Sequence, residues 1–149
     1  MAWEQNPYAI KVTFVAGETL GGQGWEPSKQ FRFVRLADQE LTGTPVAYDI
    51  DDAIDVRPIG VLQNMPKSSY GDNNFGEAEV TISGVTKLVA GGNITAGYPV
   101  GAGAYGKGVQ VGDDSDSAFI VGTALTSGVN GDIITVVINC ASPVPAPAA

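Results

Sequence analysis

The 149-residue chain contains no histidine and a single cysteine, Cys140. Without histidine there is no Ser-His-Asp or Cys-His nucleophile pair, no common zinc ligand of the imidazole type, and no usual general base at neutral pH. With one cysteine there is no internal disulfide, and the thiol after an apolar run reads as small and buried rather than reactive. Basic residues are also few: 8 Lys and Arg against 16 Asp and Glu, a net charge of −8. The eight (Lys11, Lys29, Arg32, Arg35, Arg57, Lys67, Lys87 and Lys107) are scattered, so the counterion-releasing stripe that nucleic-acid binding needs is missing. No apolar run approaches the roughly 20 residues of a membrane helix. The opening Met-Ala-Trp-Glu-Gln-Asn-Pro lacks the basic and apolar regions of a secretory signal, so a chain made in the cytoplasm is expected.

Charge is also missing locally. Residues 88–112 carry one charged side chain, Lys107, and residues 133–149 carry none. Two readings stay open: a neutral Gly/Thr loop surface, or a surface covered by other subunits.

What the chain has is glycine-punctuated β-pattern. In residues 76–84, Ala78, Val80 and Ile82 alternate with Glu77, Glu79, Thr81 and Ser83, the period of a strand with one buried and one wet face. Residues 133–138 (Ile-Ile-Thr-Val-Val-Ile) are apolar almost throughout and read as a strand covered on both faces. Further strands are expected over residues 93–100, 106–111 and 118–125, and over 30–37, with Phe31 and Phe33 on one face and Val34 and Leu36 on the other. Residues 49–55, rich in aspartate, are the one stretch with a helical pattern, about two turns long and dependent on packing. Residues 66–75 read as an exposed loop. At the front, residues 9–15 are strand-like and residues 17–24 form a Gly-rich connector. Such a segment reads equally as a first core strand plus loop or as an arm that adds to a neighbour's sheet edge. The Pro/Ala run after Cys140 reads as an extended, solvated tail.

The remaining chemical candidates are weak. Asp49, Asp51, Asp52 and Asp55 lie too close on one element to face each other across a cleft as a glycosidase pair. Asp113, Asp114 and Asp116 lack the spaced ligands and closing Glu of a calcium loop. Gly101-Ala102-Gly103-Ala104-Tyr105-Gly106 matches the dinucleotide-binding spacing but is followed by a strand pattern, not a helix. No catalytic, cofactor or metal residue is assigned, and the chain is not expected to be an enzyme. Trp3, Trp25 and Tyr98 are candidate sugar- or protein-binding aromatics.

The ordered series Phe31-Arg32-Phe33-Val34-Arg35-Leu36, Pro58-Ile59-Gly60-Val61-Leu62-Gln63-Asn64, Gly76-Glu77-Ala78-Glu79-Val80, Gly84-Val85-Thr86-Lys87-Leu88-Val89-Ala90-Gly91, Ile94-Thr95-Ala96-Gly97-Tyr98-Pro99-Val100, Gly106-Lys107-Gly108-Val109, Ile120-Val121-Gly122-Thr123-Ala124-Leu125 and Gly131-Asp132-Ile133-Ile134-Thr135-Val136 resembles the capsid cement (head decoration) proteins of tailed bacteriophages. The resemblance implies a structural virion protein on the outer surface of the assembled head, often a homotrimer, whose partner is the major capsid protein. It also implies an N-terminal arm that contacts the capsid, a role falling on Trp3, Tyr8, Ile10, Val12 and Phe14. The expected fold is mainly β: a compact small β-barrel or β-tulip-like domain with at most one or two short helices, an extended N-terminal arm and a flexible Pro/Ala tail. The expected divisions are 1–24 for arm and linker, 25–140 for the body and 141–149 for the tail. Other expected functions are a tail or fibre module of a virion, or a glycan-binding adhesive domain.

Overall fold

The structure, a computed structural model, describes residues 9–17, 20–22, 27–41, 43–52, 56–66, 76–112 and 117–147. About half of these are strand, and the helical element among them is one 3-10 turn, Ala104–Gly106. Mainly β is the observed class, and a small closed barrel with extra strands is its form.

Five strands make the barrel: β1 (Ile10–Ala16), β2 (Phe33–Leu41), β3 (Thr44–Asp49), β4 (Gly60–Leu62) and β5 (Glu77–Val89). Pairing runs β1-β3-β2-β4-β5 and returns from β5 to β1, which closes the ring. Val15 and Ala16 of β1 run parallel to Val46 and Ala47 of β3, while residues 11–15 pair antiparallel with residues 81–77 of β5. The closing contacts are short: β1 meets β3 at Val15 and Ala16, and β2 meets β4 at Phe33 and Val34. The interior is filled by Phe14, Ala16, Leu20, Val34, Ala47, Leu62, Ala78 and Val80, all buried. The alternation seen in residues 76–84 is the inward set of this barrel.

β5 is shared with a second sheet. Ser83 is the crossover: it pairs with Ile10 of β1 and also with Asn139 of β10 (Ile133–Asn139), which takes over as neighbour up to Val89. The next residue, Gly84, has φ +118°, a conformation that side-chain-bearing residues rarely adopt, and it redirects the strand out of the barrel. The sheet continues through β9 (Gly122–Ala124), β6 (Pro99–Ala102) and β7 (Gly108–Gln110). Leu88, Ile134, Val136, Ile138 and Val100 pack beneath it with Phe33, Val61 and Cys140 as a second core. Close approach is built into this layer: a Cβ on Gly106 (φ +71°) would run into the Phe33 carbonyl oxygen.

Four local expectations are revised. The strand over 30–37 begins at Phe33, because Phe31 takes φ +60° and breaks the alternation before it starts. Residues 49–52 are not helical: Asp49 ends β3 and residues 50–52 follow as irregular chain, while residues 53–55 lie outside the described set. The apolar strand β10 is fully covered on one face only; on the other Thr135 is buried but Ile133 is 57% and Val137 39% exposed. Part of the Pro/Ala segment is held: β11 (Val144–Pro145) pairs with β8 (Phe119–Ile120), and the Ala146 amide donates to the Ala118 carbonyl at 2.9 Å. Proline supplies no amide donor, but at a two-residue outer ladder its neighbours suffice.

Candidate interaction surface

The residues first assigned to capsid contact separate into three groups. Trp3 and Tyr8 lie outside the described residues. Ile10 and Val12 are on β1 with their side chains in solvent, 57% and 36% exposed. Phe14, two residues further on, is buried in the barrel interior. β1 pairs with β5 along residues 10–15 and with β3 at Val15 and Ala16, which makes it a barrel strand in this structure. Of the aromatic candidates, Tyr98 is half exposed, and Trp3 and Trp25 lie outside the described residues.

A larger surface is formed by the outer face of β5 and β10. Directly opposed residues in an antiparallel pair share a face. Val85 opposes Val137, Lys87 opposes Thr135, Val89 opposes Ile133, and Val137 also opposes Thr123 of β9. Leu125, whose amide donates to the Thr135 carbonyl at 2.8 Å, adds an exposed apolar side chain beside them. Lys87 is the only charge in this set. In a chain with 16 acids, an apolar sheet face without one is not the usual wet side of an antiparallel sheet.

At the barrel end of this face, Lys11, Phe31, Gln63, Thr81, Val85 and Lys87 line a cavity of about 220 Å³. Phe31 holds its left-handed conformation because both backbone groups are bonded: its amide donates to Leu62 and its carbonyl accepts from Val89, each at 2.7 Å. The Lys87 Nζ sits 5.9 Å from the centre of its ring. Gln63 is fixed as well, its Nε2 donating to Thr86 Oγ1 at 2.8 Å and to the Val61 carbonyl at 3.0 Å. The Thr81 hydroxyl is buried and has no hydrogen-bond partner. Sequence reasoning missed this cluster because it treated the basic residues as scattered. Lys11, set opposite Thr81 by the β1–β5 register, and Lys87, opposite Thr135 on β10, line one cavity only through pairings that a single sequence does not print.

The chemistry-bearing groups noted earlier do not assemble. Cys140 is fully buried at the end of β10, and burial pushes its thiol up to about 12 with only partial opposition from Arg57. Burial also lowers the pKa of Arg32. Gly101 to Gly106 lead from β6 through the 3-10 turn to β7. Among the described residues, no group of three or more His, Cys, Asp or Glu side chains is arranged to hold a metal ion. Asp55, Asp113, Asp114 and Asp116 lie outside the described set.

No family model matches the sequence, and no curated protein does either. Among solved structures, the fold is similar to that described as the crystal structure of head fiber gp8.5 N base in bacteriophage phi29. The TM-score is 0.57 at 16% identity, covering 91% of this chain and 98% of that one. The two share a fold across nearly their whole lengths.

Proposed function

We propose that this chain is a structural protein of a bacteriophage virion that binds the outer surface of the assembled head and stabilises it. One observation carries the reading: the fold matches the base of a phage head fibre end to end, with almost nothing of either chain left over. The ordered strand series that resembles head decoration proteins supports it. So does the open apolar face of β10, whose sequence has the character of a strand covered on both sides. A homotrimer would cover such a face in each copy, since closed symmetry buries the same patch three times. The partner is the major capsid protein of the shell; neither nucleic acid nor membrane is a partner. Residues 1–12, with Trp3, Tyr8, Ile10 and Val12 as anchors, contact the shell, and Phe14 stays in the barrel.

The physical logic is linkage. A ligand that binds only the assembled, expanded shell stabilises that state by mass action, and many identical sites multiply the effect. The match to a fibre base favours a second reading, in which this domain seats a fibre on the head. Heating expanded shells with and without the protein tests the first reading. A higher disruption temperature that saturates with added protein supports cement, while saturable binding with an unchanged temperature favours the fibre base.

A further inference from the structure

The cavity on the outer face of β5 has three properties that a merely filled surface dent lacks. Its rim carries two cations, Lys11 and Lys87, and neither has an ion pair with any described carboxylate, although acids outnumber bases two to one. Its wall includes Thr81, 1% exposed, the one buried side-chain polar atom without a partner among the described residues. Buried hydroxyls are normally satisfied, so an orphan beside a cavity points to a missing partner. Its opposite wall is Phe31, held at φ +60° by two backbone hydrogen bonds, and strain of this kind collects where groups are positioned for binding. The volume of about 220 Å³ lies below the roughly 300 to 1,000 Å³ of sites for free small molecules and cofactors. It suits one or two side chains. Val85 in its wall opposes Val137 on β10, so the cavity borders the largely apolar face that also carries Val89 and Ile133. A free anion has no use for that face, and a protein segment does.

We propose that this cavity is a receptor for one carboxylate side chain carried on an extended segment of a partner protein. The carboxylate lies between the Lys11 and Lys87 ammonium groups, and the flanking apolar residue of the segment covers Val85 in the cavity wall. Charge-assisted bonds in a half-enclosed site are the stronger kind, and the pairing gives specificity for acid over amide. The proposal rests on the reading above only in taking the partner to be a protein.

The test uses the full chain, isotope-labelled for NMR, titrated with the capped tripeptide Gly-Glu-Val, with its Gly-Gln-Val counterpart, and with inorganic phosphate. The expected result is saturable shifts at the amides of Lys11, Thr81, Val85 and Lys87 with the Glu peptide. Binding should be about tenfold weaker or worse for the Gln peptide, and for the Lys11→Gln/Lys87→Gln variant, as expected for loss of a charged hydrogen bond. Both lysines stand on the surface, so the variant keeps its fold, and its amide spectrum checks this. Equal binding of the Glu and Gln peptides, binding indifferent to the lysines, or no saturation would overturn the proposal. Phosphate competing as well as the Glu peptide would also overturn it, leaving a plain anion site. No shell enters this test, so its failure is separate from failure of the head-protein reading.

Discussion

Cys140 and Thr81 show how much depends on single buried atoms in this chain. The Cys140 thiol has its pKa pushed up to about 12 by burial, against 9.0 for the ordinary group. It therefore stays protonated when folded at a pH where the unfolded chain has already lost the proton. Its contribution is fully present below pH 9 and is lost as pH rises from about 9 toward 12. A denaturation series across that window should show stability falling for the parent and falling less for Cys140→Ala. Native protein near neutral pH should react with a thiol reagent only at the rate of unfolding; fast labelling would mean the thiol is exposed. Thr81 carries the opposite lesson. Its hydroxyl is buried without a partner, so the near-isosteric Thr81→Val should raise stability by about 1 kcal/mol in a thermal melt. A loss of similar size would mean that the hydroxyl is satisfied in solution.

At the scale of elements, β5 carries the architecture, because it is a wall of the barrel and the first strand of the second sheet. β1 completes the barrel with one large side chain, Phe14. Phe14→Ala should cost about 3 kcal/mol or more, read as a shift in denaturant midpoint, because the closed ring around it can collapse only partly. The same reasoning decides where the N-terminus can be shortened: removing residues 1–8 leaves β1 intact, while removing 1–16 takes away a barrel strand. Much of this was legible in the chain. The inward set Ala78, Val80 and Ile82 could be read from period-two alternation, and strands within 106–111 and 118–125 from their Gly boundaries, whereas the strand expected over 93–100 is found at Pro99–Ala102. Closure could not be read, because it depends on β1 meeting both β3 and β5, which are remote in sequence. Phe31 was misplaced for a local reason, since nothing in an aromatic side chain announces a left-handed backbone. The carboxylate pocket was hidden for the same reason as closure.

At the scale of the whole molecule, an acidic chain with an outer sheet face that is apolar apart from Lys87 is suited to assembly by apolar contact more than by charge. If that face joins copies in a homotrimer, Val137→Asp places three carboxylates in the contact. Sedimentation velocity should then show the parent as a trimer and the variant as a folded monomer. A parent that is monomeric at all concentrations would move the face's role to the capsid partner. The central claim is that this protein belongs on the outside of an assembled head, and the most direct measurement is co-sedimentation. Full-length chain and residues 9–149 would be mixed with expanded, undecorated phage shells and, separately, with unassembled capsid subunits. The account predicts saturable binding of the full chain to shells, weaker binding of the shortened chain, and none to free subunits. Absence of binding to any shell, or equal binding to free subunits, would contradict it.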